Sequence, residues 1–269
     1  MKPVRNHRAH RYRGGRIDIV NQNLIIEEPL SIRIDGRPYA VVMRTPGEEI
    51  AHVAGFCLAE GLVDSPDDFA AIGYCSEADV NVVTATMTPQ RRRKIGGLLR
   101  RRGFVSQTSC GICGKELIDD LHQIVQPMTL TSSLAIDRVE TAVGLLNSHQ
   151  ALYRRTGGSH AAMVLDPELE LMSHAEDVGR HNALDKAVGK VFMAGRLQRA
   201  AVIVLSSRIS YELVQKAARA HVEIVIALSR PTQLAVDLGR RLNMSLASLG
   251  KRGDLLIYSG KKRFSGTVA

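Results

Sequence analysis

Residues 200–243 read AAVIVLSSRISYELVQKAARAHVEIVIALSRPTQLAVDLGRRLN. Two nearly continuous apolar runs, 200–205 and 222–228, are rich in β-branched residues and too short for helices. Each is followed by a stretch of helical period: 211–220, then 231–243 with Leu234, Leu238 and Leu242 on one stripe. Unbroken apolar strands are buried on both faces, and strands joined through helices run parallel by right-handed crossovers. The stretch therefore predicts a parallel sheet covered on both sides. Outward from it, 183–193 reads as a helix burying Leu184, Ala187, Val188 and Val191, and 161–165 as a strand opened by His160. From about Leu134 the chain has the texture of a layered α/β domain.

The N-terminal half reads differently. Residues 16–40 alternate apolar and polar around Asp35-Gly36, the pattern of a hairpin of half-buried strands. Thr45-Pro46-Gly47-Glu48 has the composition of a capping box, with a helix after it burying Ile50, Val53, Ala54, Cys57 and Leu58 up to Gly61. Cys57 on that apolar face, and Cys75 in a predicted strand over 71–75, read as small hydrophobes of the core. The expected division is a basic tail over 1–16, an α+β region over 17–125 and the α/β domain over 126–269.

A chain of 269 residues with 45% apolar residues can bury a sizeable core. Its four cysteines are too few for a disulfide framework, and residues 1–16 lack the apolar stretch of a signal peptide or membrane span. A cytoplasmic protein without membrane contact is expected. The net charge of +9 favours anionic partners, while an aromatic content of 4% argues against a base-stacking nucleic-acid binder. The cations gather in two runs, 2–16 and 91–102. These read as a solvated tail and a solvated helix face, or as docking sites for an acidic partner or a polyphosphate.

The densest chemistry lies in Ser109-Cys110-Gly111-Ile112-Cys113-Gly114-Lys115. Two thiols three residues apart are flanked by glycines, with Lys115 and the start of a predicted helix close by. A helix N-terminus and a cation both favour thiolate and pull a cysteine down from its ordinary value of roughly 8.5. On spacing alone three readings stand level: half of a structural zinc site, completed by residues such as His160, His174 or His181; a redox pair; and a sulfur carrier holding a persulfide on one thiolate.

Other segments add a resemblance. Gly157-Gly158-Ser159-His160-Ala161-Ala162, the run from Glu176 to Lys186 (EDVGRHNALDK), Ser210-Tyr211-Glu212-Leu213-Val214-Gln215-Lys216, Pro231-Thr232 and Tyr258-Ser259 follow in order and, with the cysteine loop, resemble the FdhD-type accessory sulfurtransferases of formate dehydrogenase. The resemblance implies a cytidine-deaminase-like α/β fold and a homodimer. It also implies that Cys110 carries the persulfide with Cys113 as its neighbour. Sulfur would come from a cysteine desulfurase and pass to the molybdenum bis(molybdopterin guanine dinucleotide) cofactor, bound as substrate before it enters formate dehydrogenase. The family's cofactor-binding segment maps to Leu249, Gly250, Lys251, Arg252, Gly253 and Asp254. Here no aromatic precedes the cations and Leu256 replaces a common asparagine. Glycines beside two cations nevertheless suit a phosphate.

A zinc deaminase is the rival reading, with Cys110 and Cys113 as ligands beside His174 and Glu176. Its parts come in the wrong order: the cysteines precede the His-x-Glu, and Ser109 stands where a proline belongs. No bound zinc is therefore expected. Glu176, Asp177, Arg180, His181 and Asn182 precede a predicted helix and read first as structural caps.

Overall fold

The computed structural model describes residues 2–76, 79–101, 126–250 and 253–266. In chain order its main elements are β1 (Val4–Arg13), β2 (Arg16–Ile25), β3 (Glu28–Ile34), β4 (Arg37–Arg44), α1 (Glu49–Ala59), β5 (Phe69–Ser76), β6 (Asp79–Met87), α2 (Pro89–Arg101), β7 (Leu134–Ala135), α3 (Val139–Ser148), α4 (Ala151–Thr156), β8 (His160–Leu165) and β9 (Leu171–Asp177). They continue with α5 (Arg180–Met193), β10 (Val202–Leu205), α6 (Tyr211–Arg219), β11 (Ile224–Ala227), α7 (Gln233–Arg241), β12 (Ser245–Leu249), β13 (Leu255–Ser259) and β14 (Phe264–Ser265).

The apolar runs become neighbouring strands of a six-stranded sheet ordered β13-β12-β11-β10-β8-β9. β10, β11 and β12 are parallel, in the register Val202↔Ile224↔Ser245. Both faces are buried. Ile203, Leu205, Val225 and Ala227 enter one apolar cluster with α5, α6 and α7, and Val202, Val204, Ile224 and Ile226 enter another with α3. That double burial is why these strands lack the polar alternation of a surface strand. The sheet is not parallel throughout, however: β8 runs antiparallel to both β10 and β9, and β13 antiparallel to β12. The connections explain the difference. β8 and β9 are joined by a tight turn closed by Asp166 N–H to Glu170 O at 3.1 Å, too short to carry a crossover.

The second sheet, β4-β3-β6-β5, is smaller. Its β3–β4 hairpin turns at Asp35-Gly36, with φ of 50° and 78°, the double positive φ that a two-residue hairpin turn demands. The hairpin begins at Glu28, however. Residues 16–25 instead pair with 4–13 as a separate exposed ribbon, so the basic N-terminal run is a strand where a tail was expected. Within the second basic run, Arg91 is buried: Nε donates to Leu62 O at 2.7 Å and Nη2 to Gly61 O at 2.8 Å, while Nη1 pairs with Asp64.

The capping box does not form. Gly47 (φ 114°) and Glu48 (φ 63°) turn the chain so that α1 starts at Glu49, and Thr45 Oγ1 accepts from Val178 N–H at 3.0 Å instead of capping the helix. Cys57 is fully buried, and burial, with Asp185 nearby, pushes its thiol pKa far up. Cys75 lies in β5 as expected but is exposed. Leu234 stays exposed while Leu238 and Leu242 are buried, because α7 meets the sheet through only part of its stripe.

The sheets are joined by α1 crossing α5. A Cβ added at Gly55 would lie 2.0 Å from Asp185 O, and one at Gly189 would lie 1.8 Å from Ala51 O. Only glycine allows the two backbones this close. Gly189→Ala should therefore destabilise by about 3 kcal/mol, the upper part of the usual overpacking range, because a helical carbonyl cannot rotate aside. Urea unfolding followed by circular dichroism checks this, and an unchanged midpoint would mean the helices separate freely.

Candidate functional site

In a sheet of parallel strands, ligands gather outside the carboxyl ends. Here that edge collects the loops after β10 (206–210) and β11 (228–232), and Gly250 after β12. It also collects His160 at the start of β8 and Asp177 at the end of β9, paired in register. α5, α6 and α7 all start from it. The N-caps Gly179 and Ser210 give no side-chain cap, so α5 and α6 keep first-turn amides unclaimed by one; Thr232 caps α7 by accepting from Ala235 N–H at 3.3 Å. Exposed Arg208 and Arg230 and half-buried Arg180 add positive charge. Three positive helix ends beside arginines make an edge suited to anions.

His181 Nε2 lies 2.7 Å from Glu212 Oε2 and 3.3 Å from Ser210 Oγ, linking the first turns of α5 and α6. The hydrogen bond to His181 is the main reason that the Glu212 carboxyl sits below its ordinary value. Burial, then Arg180 and His181, lower the pKa of His160.

Of the sequence-predicted binding residues, Leu249 and Gly250 close β12 at this edge, and Gly253 and Asp254 lead into β13. Gly250 N–H donates to Asp254 O at 2.8 Å and Gly253 N–H to Gly250 O at 3.0 Å, with Gly253 at φ 82°. Lys251, Arg252, Cys110 and Cys113 lie outside the described residues. The chain is described again from Gln126, and there it is held at the opposite, amino edge. Glu223, just before β11, accepts from Ser132 N–H at 3.0 Å, from Thr131 and from Arg263 Nε at 2.6 Å; Arg263 Nη2 donates to Thr129 O at 2.6 Å, and Met128 N–H to Leu242 O at 2.8 Å. Burial works against the Glu223 charge, yet the bonds from Thr131 and Arg263 hold its carboxyl below the ordinary range.

Beneath the carboxyl edge, the Glu176 to Lys186 run is largely structural. Asp177 accepts from Thr45 N–H (3.0 Å), Gly179 N–H (2.8 Å) and Asn182 Nδ2 (2.9 Å), and pairs with Lys186 Nζ at 2.7 Å; Lys186 also donates to Thr45 O at 2.7 Å. Glu176 caps α4, taking Leu152 N–H at 2.6 Å, Tyr153 N–H at 2.7 Å and Ser159 Oγ at 2.8 Å. Both its oxygens are thus engaged, which does not suit the general acid/base of a deaminase, while the His174 ring lies against that of His149, tilted by 59° with centroids 4.9 Å apart. Asp185 is buried against Lys216 at 2.7 Å, and burial raises its pKa despite that partner.

His52 on α1 is buried in the same cluster. Sequence reading passed over it, since a lone histidine in an apolar helix carries no motif. Burial first, then the charges of Lys186, Lys216 and Arg44, depress its pKa well below 6.5. The folded chain resists protonation there, so the stability this provides is present above pH 6.5 and is lost as pH falls. Half-buried His160 and His174, also lowered, act in the same direction. Unfolding free energy should drop between pH 7 and 5, with His52 contributing at most about 1.4 kcal/mol per pH unit. His52→Gln should flatten that slope in urea titrations at several pH values; an equal slope would clear His52 of the effect.

Residues 25–265 match the FdhD/NarQ family. A sulfur carrier protein FdhD of Streptomyces avermitilis is 35% identical over 269 residues, covering 95% of this chain and 93% of the relative. One from Streptomyces coelicolor is 35% identical over 267 residues, covering 94% and 93%. A crystal structure of a formate dehydrogenase accessory protein from Desulfotalea psychrophila superposes with a TM-score of 0.78 over 98% of this chain and 100% of its own, at 18% identity, a likeness of fold.

Proposed function

The chain belongs to the FdhD/NarQ family, and from that premise we propose that it carries sulfur from a cysteine desulfurase to the molybdenum bis(molybdopterin guanine dinucleotide) cofactor of formate dehydrogenase. The observation that carries this reading is the two-thiol segment Ser109–Lys115 in a chain whose relatives are named sulfur carriers. The cationic carboxyl edge supports the cofactor half of it. In that role the chain works in the cytoplasm as a homodimer. Among the described residues no helix is long and apolar enough to cross a membrane.

The chemistry starts with Cys110 thiolate attacking the outer sulfur of the desulfurase persulfide. The donor's S–S bond breaks, its cysteine leaves as thiolate, and Cys110 gains the persulfide. Delivery as sulfide needs two electrons. Cys113 supplies them by attacking Cys110 Sγ and expelling hydrosulfide, which takes up the Cys113 proton; a dithiol reductant then restores the Cys110–Cys113 disulfide to thiols. Diphosphates of the guanine-dinucleotide arms would lie along the carboxyl edge, against Lys251, Arg252 and the amides of the neighbouring helix starts.

Incubation with a cysteine desulfurase and cysteine should add about one sulfur, roughly 32 Da, removable by reductant. Cys110→Ala should abolish this adduct and formate dehydrogenase maturation; Cys113→Ala should do less damage. Intact-mass spectrometry reads the outcome, and a Cys110→Ala chain that still loads and still matures the enzyme would end the proposal. In calorimetry, guanosine diphosphate should bind with an affinity that falls with salt and drops when Lys251 and Arg252 become alanine. No heat, or equal binding by that variant, would remove the cofactor assignment.

A further inference from the structure

We propose that the β1–β2 ribbon is a docking arm for an acidic protein surface, and that this surface belongs to the apo-enzyme receiving the finished cofactor. The inference rests on the sulfur-carrier reading and adds to it a partner contact. Only Ile25, at the base of the ribbon, falls within the family match over residues 25–265, so residues 4–24 extend outside it.

Directly opposed residues of an antiparallel pair share a face. The register therefore puts Tyr12 with Ile17 and His10 with Ile19 on one side of the distal half, and Arg13 with Arg16 and Arg11 with Asp18 on the other. Tyr12, Ile17 and Ile19 are 74%, 68% and 67% exposed. A two-stranded ribbon is marginal alone in water, and large exposed side chains at its end are the kind that anchor an interface. Over residues 4–25 there are five arginines against one aspartate. That charge suits an acidic surface, and two such ribbons would repel each other, which argues against the same ribbon of a second copy as its occupant. A nucleic acid would meet the arginines but leave Ile17 and Ile19 in water, with Tyr12 alone to stack, so a protein fits better.

Position selects which protein. The base of the ribbon packs on the body where a Cβ at Gly158 would come within 3.0 Å of Ile25 Cγ2. Gly158 precedes His160, which opens β8 at the carboxyl edge. A partner held by the ribbon thus stands beside the edge from which cofactor would leave, whereas the chain beyond the cysteine loop is fastened at the amino edge.

The test measures binding of the purified full-length chain to purified apo-formate dehydrogenase by biolayer interferometry at low and physiological salt. Two variants are compared with it, Tyr12→Ser with Ile17→Ser and Arg13→Glu with Arg16→Glu. Each should weaken binding at least about tenfold, and the charge variant should lose most of the salt dependence. Both should keep the parent melting temperature, load sulfur on Cys110 and bind guanosine diphosphate as the parent does. Wild-type affinity in both variants overturns the docking arm while leaving the sulfur-carrier reading intact, and the absence of any binding by the parent chain also overturns it. A loss seen in self-association by sedimentation, or in binding to a duplex RNA probe, in place of the apo-enzyme, overturns it as well. Loss of sulfur loading in the parent chain itself would instead strike the underlying function.

Discussion

Everything else in the molecule depends on two helices meeting without side chains between them. At Gly55 and Gly189 the backbones of α1 and α5 approach to a distance that no Cβ survives. α1 lies under the small sheet and α5 on the large one, so this crossing fixes the two sheets relative to each other. It also brings the Thr45 loop over the start of α5, where Asp177 accepts from Thr45 N–H across a sequence separation of 132 residues and Thr45 Oγ1 accepts from Val178 N–H. The cross-sheet polar network therefore follows from close helix packing.

That network is demanding. Lys186, Asp177 and Asp185 are almost wholly buried, and buried charges are tolerated only when paired and hydrogen-bonded. Removing one member leaves its partner stranded, which accounts for so dense a polar run in a stretch that contributes no free nucleophile. Its placement matters to function all the same: it holds the last residue of β9 and the first turn of α5, and with them the orientation of Arg180 and His181 at the anionic edge.

The double-sided burial of Ala200–Leu205 and Val222–Leu228 could be read from composition alone, because only strands covered on both faces are apolar without alternation. The antiparallel flanks were less legible: Asp166-Pro167 favours a turn, but only the closed connection over 166–170 shows that it is too short for a crossover. The capping box misled because Thr45-Pro46-Gly47-Glu48 satisfies the residue types while Gly47 and Glu48 adopt positive φ, a choice made by distant Val178 and Asp177. Arg91 looked like one cation in a solvated row, yet carbonyls of Gly61 and Leu62 claim it. The edge arginines Arg208 and Arg230 had no motif. Locating them required knowing that the strands before them run in parallel and end side by side.

The two isolated cysteines differ in a way that matters at the bench. Cys57 is sealed in the core with its ionisation suppressed, so alkylating reagents applied to the native chain will not count it. Cys75 sits exposed on β5 and will react alongside any other accessible thiol, so stoichiometries from native thiol titration carry its contribution. A Cys75→Ser background turns the chain into one whose slow thiol is a folding reporter, since Cys57 becomes modifiable only when α1 lifts away from α5.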